Sequence, residues 1–262
     1  MLALGLAACG SKPADSAGGS ADAVLKVGVS PVPHGEILKY VKDNLAAQEG
    51  LKLEIVEFND YVQPNAALQD KKLDANYFQH VPYLDEEKKA KGYKFTALAP
   101  VHLEPLGVYS KKVKKVADVP QGAVVAIPND PSNSGRALNL LAANGVIKLK
   151  DGAGVKATQR DIADNPKKLQ FKELEAAQLP RSLDDTALSV VNGNYAIQAN
   201  LTPSKDALAL ENGENNPYAN VVVVRTGTEN DPRVVKLEKL LHSPEVKKFV
   251  EDKYHGSVVV AY

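Results

Sequence analysis

The chain has 262 residues, enough for one large domain or two smaller lobes. Lys+Arg and Asp+Glu each number 32, giving a formal net charge of +0, which argues against the basic surface of a nucleic-acid binder. A hydrophobic content of 44% fits a globular protein, and with Cys9 as the single cysteine no intramolecular disulfide can form.

The first segment is a short apolar run ending Leu6-Ala7-Ala8-Cys9, followed by a Ser/Gly/Ala/Asp stretch without periodicity. The run is too short to span a bilayer and resembles the end of a signal peptide. Leu-Ala-Ala-Cys matches the bacterial lipobox, in which the signal is cut before a cysteine that then carries lipid. The basic residues that usually precede such a run are absent. Residues 1–23 are therefore expected to be signal remnant, lipobox and flexible linker, with lipidation at Cys9. The bland alternative is a frayed terminus with an accidental cysteine.

Val24–Ser30 (VLKVGVS) alternates and predicts a strand. His34–Gln48 carries Ile37, Leu38, Val41 and Leu45 at helical spacing and closes at Gly50. Leu51–Phe58 alternates again, completing a βαβ unit. Helices are predicted over 64–71 and 79–91, and extended chain over 93–109. A second cycle follows the surface run Lys111–Lys115, with a strand at Ala123–Ile127 and a helix near Ser134–Ala143. Leu169–Leu174, Ala187–Val191 and Val221–Val224 read as further strands with short helices between them. Asp231–Leu241 and Pro244–Tyr254 read as amphipathic helices, and Val258–Val260 as a last strand. Alternating strands and helices predict an α/β protein with mainly parallel sheets, and two cycles suggest two lobes.

Arg136 stands where the turn formers of IPNDPSNSGRALNLL give way to an apolar periodic segment. The first N–H groups of a helix lack partners and make a positive end, where a cation is unfavourable by roughly 0.3–1 kcal/mol. Ser132, Asn133 and Ser134 are all cap candidates, and Gly135 would let a ligand approach the backbone. Arg136 makes sense there if an anion joins it; a solvated first-turn arginine is the alternative. Arginine suits bidentate carboxylate recognition, and no P-loop pattern points to phosphate.

Two stretches, Asn59–Asn65 (NDYVQPN) and Asp74–Leu84 (DANYFQHVPYL), gather Tyr61, Tyr77, Phe78 and Tyr83 around His80. Such rings could line an apolar pocket with polar tips, or simply pack a core. These stretches resemble a known family. So do Pro128–Ser132 (PNDPS), Glu175–Arg181 (EAAQLPR) and Val191–Ala196 (VNGNYA). The likeness is to the methionine-binding lipoproteins of ABC importers, the NlpA lipoprotein family, and it runs from about residue 24 to the end.

The resemblance implies a two-lobed, periplasmic binding protein-like fold with an amino acid in the cleft. The expected division is 24–108 plus 222–262 for one lobe and 109–221 for the other. By motif match Arg136 would hold the ligand carboxylate, and Asn192 and Asn220 its amino and carboxylate ends. Tyr61, Phe78, His80 and Tyr83 would surround the side chain. Asn192 also follows a predicted strand directly, at the carboxyl end where open α/β sheets bind ligands; a plain Asn-Gly turn is the alternative. The implied partners are methionine, a cognate permease with its ATPase, and the membrane through lipid on Cys9. The implied state is a monomer without cofactor or metal, anchored in the envelope and facing the periplasm or the exterior.

The sequence shows no G-x-S-x-G elbow and no H-E-x-x-H zinc helix. His34, His80, His102, His242 and His255 are dispersed, without metal-ligand spacing. Two other function classes stay open at this point: an envelope enzyme acting on a small amino-acid derivative, and a surface adhesin that retains the fold.

Overall fold

The computed structural model describes residues 23–214 and 216–262. Cys9, the lipobox and the linker up to residue 22 lie outside the described residues. Along the chain the strands are β1 (Leu25–Val29), β2 (Leu53–Glu57), β3 (Ala75–His80), β4 (Phe95–Leu103), β5 (Gly107–Tyr109), β6 (Val124–Pro128), β7 (Lys148–Leu149), β8 (Ile162–Asp164), β9 (Gln170–Leu174), β10 (Leu188–Val191), β11 (Ala209–Leu210), β12 (Asn220–Arg225) and β13 (Val259–Val260). The helices are α1 (Glu36–Asn44), α2 (Gln63–Gln69), α3 (Val81–Lys91), α4 (Pro131–Ala143), α5 (Leu179–Ser182), α6 (Gly193–Gln198), α7 (Pro203–Asp206), α8 (Pro232–Leu241) and α9 (Pro244–Tyr254).

Two sheets form two α/β lobes. One has six strands in the order β13-β4-β12-β3-β1-β2, the other five in the order β11-β5-β10-β6-β9. The centres β2-β1-β3 and β9-β6-β10 are parallel, as βαβ units require. The expectation of mainly parallel sheets does not extend further: β12 runs antiparallel to both β3 and β4, and β5 antiparallel to β10 and β11. The physical reason is that the chain crosses between sheets after β4 and returns at β12, so these strands enter from the opposite end.

The Val221–Val224 run shows how sequence makes the core. Val222 and Val224 face the cluster built by Ile37, Leu38 and Leu237, and Val221 and Val223 face Leu68, Leu84 and Phe95. Each buried valine contributes roughly 1.5–3 kcal/mol, so Val223→Asp would break this sheet on both counts, lost burial and a stranded charge.

Two expected elements are corrected. The helix expected over 79–91 is present but begins at Val81, and a wholly buried strand that the sequence reading lacks, Ala75–His80, runs into it. The strand was hidden because buried Asn76 and Gln79 break the apolar pattern. They are satisfied by Asn65, whose Oδ1 accepts from Asn76 Nδ2 at 2.9 Å and Gln79 Nε2 at 2.7 Å. The helix expected near Ser134 starts at Pro131, with Asp130 as its cap accepting from the Asn133 N–H at 2.9 Å. Proline at the first helical position lacks only an N–H that would be unpaired anyway. Ser132, Asn133 and Ser134 are therefore helical residues, and Arg136 sits on the second turn.

Candidate functional site

The chain crosses between the sheets twice, at 104–106 and again over 211–219. The crossings touch: the Glu211 N–H donates to Leu106 O at 2.9 Å. Beside them lies a narrow cavity, with about 20 Å³ of space open to the centre of a water molecule. The first lobe lines it with Tyr61, Phe78, Gln79, His80, Tyr83 and Asn220, and the second with Asn133, Arg136, Asn192, Gly193 and Asn194; Glu104 comes from the crossing. All seven residues singled out in the sequence as ligand-contacting, Tyr61, Phe78, His80, Tyr83, Arg136, Asn192 and Asn220, thus line one hollow.

Strand register explains the convergence. β6 and β10 are parallel neighbours, so the chain leaving each one starts a helix on the same side. Asn133 in α4 and Asn192 before α6 meet there, with Asn192 Nδ2 donating to Asn133 Oδ1 at 3.0 Å. In the other lobe, Asn220 opens β12 opposite both His80 of β3 and His102 of β4.

The aromatic wall is a cluster rather than a stack. Tyr61 lies 5.9 Å from both Phe78 and Tyr83 between ring centres, and Phe78 lies 6.0 Å from Tyr83. Tyr61 also bridges the lobes, its hydroxyl donating to Asn194 Oδ1 at 2.5 Å. Tyr195 answers from the second lobe with a bond to Asn59 O at 3.2 Å. His80 makes a third bridge. It caps α3 through Nδ1, which accepts from the Tyr83 N–H at 3.2 Å, so Nε2 carries the proton and donates to Asn133 Oδ1 at 3.1 Å. Burial and then the Arg136 charge push the His80 pKa down to about 3, so this imidazole is neutral.

Arg136 has a different environment from the one its sequence position suggested. Its anion is internal: Nε donates to Glu211 Oε1 at 3.0 Å and Oε2 at 3.1 Å, and Nη2 also reaches the Glu211 carboxylate. Nη2 further donates to Glu104 O at 3.0 Å, and the guanidinium lies 4.3 Å above the Tyr218 ring. One side chain therefore touches both crossings. Its Nη1 makes no hydrogen bond among the described residues and stays available to the cavity. Gly135 is not an approach for ligand either. A Cβ there would come 2.6 Å from Val155 O and 2.9 Å from Ala157 O, so that space belongs to packing.

Asn192 is the cap residue of α6, yet its side chain makes no cap bond. Its Oδ1 is buried without a partner. An orphan carbonyl of this kind costs roughly 1–3 kcal/mol, and here it borders a hollow. Asn220 is engaged instead: His34 Nε2 lies 3.3 Å from its Oδ1.

Glu104 has no counterpart in the sequence reading, and His34 and His102, dispersed along the chain, come together beside it. Their ligand atoms all fall within 4.8 Å of one another, so by donor type the trio could hold a divalent cation. Their hydrogen bonds already connect them without an ion: His102 Nε2 lies 2.9 Å and His34 Nε2 3.3 Å from Glu104 Oε1. Burial pushes the His34 pKa down to about 4 and that of His102 to about 3. Burial also raises the Glu104 carboxyl, against the pull of His34, Arg136 and the Asn194 backbone N–H. No sequence signal joins these three, because they come from the turn after β1, from β4 and from the crossing.

The described residues contain no helix long and apolar enough to cross a membrane. Residues 25–262 match the model of the NlpA lipoprotein family. The chain is 44% identical over 237 residues to the D-methionine-binding lipoprotein MetQ of Escherichia coli K12, covering 90% of this chain and 87% of that one. A nutrient binding protein from Burkholderia cenocepacia, solved bound to methionine, superposes with a TM-score of 0.87 at 52% identity, covering 91% of this chain and all of the other (100%). An ABC transporter periplasmic substrate-binding protein from Coxiella burnetii gives 0.86 at 44% identity, covering 90% and 100% of the two chains.

Proposed function

Since the chain belongs to the NlpA lipoprotein family, we propose that it is the extracytoplasmic substrate-binding component of an ABC importer, with methionine as its ligand. It is a binding component of a transporter and not an enzyme. It is an envelope-associated lipoprotein, held at the membrane by lipid on Cys9. Both enantiomers are candidate ligands; a monomer delivers them to a permease driven by its ATPase.

The observation that carries this reading is the pairing of free polar atoms in the cavity. Arg136 Nη1 is a free donor with a positive charge, and Asn192 Oδ1 is a free acceptor. A zwitterion needs both. The ligand carboxylate bonds to Arg136 Nη1, and the ammonium to Asn192. Asn220 completes the polar end, while Tyr61, Phe78, His80 and Tyr83 enclose the thioether. Burying that side chain contributes roughly 1.5–3 kcal/mol, and sulfur against a ring adds about 0.3–1.5 kcal/mol. Hydrogen bonds to the charged ends contribute about 1.5–3 kcal/mol each, before ordering and desolvation are subtracted. The remainder is compatible with micromolar binding or tighter.

Closure follows from the bridges. Tyr61–Asn194, Tyr195–Asn59 and His80–Asn133 all join the lobes, and separating the lobes breaks all three. The closed form is the one that docks on the permease. Calorimetry on ligand-stripped protein tests the reading. Heat of binding with methionine supports it; no heat with either enantiomer or with a methionine peptide overturns it.

A further inference from the structure

Glu104 is a buried acid in the cavity wall. It follows β4 directly, is 6% exposed, and lines the same cavity as Asn192 and Arg136. Its Oε1 is crowded. His102 Nε2 lies at 2.9 Å, His34 Nε2 at 3.3 Å and Asn220 Nδ2 at 3.4 Å. An ionised carboxylate only accepts, so the His102 proton must be on Nε2. Its Nδ1 is then an acceptor, and the Tyr77 hydroxyl donates to it. Tyr77 and His102 thus form a fixed relay that aims one N–H at Oε1. Gly193 lets the start of α6 seat against this carboxyl: a Cβ there would fall 2.8 Å from Glu104 Cβ and 3.3 Å from Oε2.

The carboxyl also accepts from the Asn194 backbone N–H, and a carboxylate has room for a further donor. Glu104 Oε2 has no side-chain partner among the described residues. The nearest full positive charge, Arg136, is already matched by Glu211. The charged groups lining the cavity are Arg136 and Glu104, and because Glu211, outside that lining, pairs with Arg136, Glu104 is left without a cation of its own. The cavity's acceptors for a ligand are Asn192 Oδ1, buried without a partner, and the Glu104 carboxyl, which lines the same hollow. A primary ammonium supplies three donors and a positive charge, and matches that set.

We infer that Glu104 is the residue that selects ligands carrying a free α-ammonium, and that Tyr77, His102 and His34 are positioning residues that hold its carboxyl at the cavity wall. The inference rests on the amino-acid-binding reading above and deepens it. Amino-blocked or deaminated analogues leave a buried carboxylate unmatched and are rejected, because an unpaired charge is costlier to bury than an unpaired amide.

The test uses two ligands that differ only at the α-substituent: L-methionine and 2-hydroxy-4-(methylthio)butanoate. Calorimetry on the ligand-stripped full chain should show the hydroxy acid binding roughly 10- to 100-fold more weakly. Glu104→Gln should weaken methionine by a similar factor and leave the hydroxy acid nearly unchanged, so the preference collapses. His102→Gln should shrink the same ratio without changing hydroxy-acid affinity, a change that general loosening of the fold would not give. Should Glu104→Gln fail to fold by circular dichroism, Glu104→Asp keeps the charge but withdraws it, and the ratio should fall partway. Equal affinities in the unaltered protein, or variants that weaken both ligands alike, overturn the inference while leaving methionine binding intact. Absence of methionine binding to the unaltered protein overturns the functional reading, and this one with it.

Discussion

Replacing Asn192 by alanine should move stability and affinity independently. In the ligand-free fold the variant loses one neutral hydrogen bond, Asn192 Nδ2 to Asn133 Oδ1 at 3.0 Å, with a net contribution of about 0.5–1.5 kcal/mol. It also removes the orphan Oδ1, whose burial costs roughly 1–3 kcal/mol. Asn133 Oδ1 keeps its bond from His80 Nε2 at 3.1 Å, so no new orphan appears. Capping is not forfeited, because the Asn192 side chain makes no cap bond. The ligand-free variant should therefore unfold in urea at the same midpoint or slightly higher. With methionine the balance reverses: the charged bond to Oδ1 is gone, and affinity should fall roughly 10- to 150-fold. Urea unfolding of stripped protein and calorimetry with L-methionine measure the two terms. A variant destabilised by about 2 kcal/mol or more with unchanged affinity would refute the reasoning, because Asn192 would then be a structural residue.

Tyr61→Phe removes the bridge to Asn194 and should lower methionine affinity roughly 2- to 12-fold by calorimetry, with a more open ligand-free shape in solution scattering. Gly135→Ala should cost about 1–3 kcal/mol in urea unfolding, because its Cβ would press on the Val155 and Ala157 backbone; methionine affinity should change little in the folded fraction. Acid should destabilise the fold through its buried histidines. His34, His80 and His102 have folded pKa values of about 4, 3 and 3, below the usual 6.5, so the unfolded chain binds protons that the native state refuses. Their stabilisation is complete above the unfolded pKa and is lost as pH falls from there towards the folded values. Glu104, whose carboxyl is raised, opposes this above its own unfolded pKa and reduces the net slope. The urea midpoint should therefore fall from about pH 6.5 to pH 4, and a flat profile would contradict the burial argument.

What was legible in the sequence was periodic or locally capped. Val24–Ser30 and Leu51–Phe58 alternate because one face of each strand is less buried, and they appear as β1 and β2. Pro244–Tyr254 announced itself by an N-terminal proline and an apolar stripe, and α9 has those bounds. ANYFQH failed the same test because both faces of β3 are buried, and its polar residues are satisfied from α2, a partner that no local window contains. The PSNSGR segment offered several adjacent cap residues, and Asp130 further upstream took the role, moving Arg136 one turn inward. The sequence reading assigns Arg136 a ligand carboxylate, whereas the fold itself supplies an anion. Glu211, 75 residues away, is that anion, and its proximity depends on the second crossing. The link of Glu104 to its two histidines was invisible for the same reason: it is tertiary, through β4 lying beside β12 and the turn after β1.

A crystal structure of the chain soaked or grown with L-methionine tests the account most directly. The carboxylate should lie within hydrogen-bonding distance of Arg136 Nη1, the ammonium beside Asn192 Oδ1 and Glu104, and the sulfur among Tyr61, Phe78 and Tyr83. Ligand density in another cavity, or a methionine turned end for end with its thioether at Arg136, would contradict it.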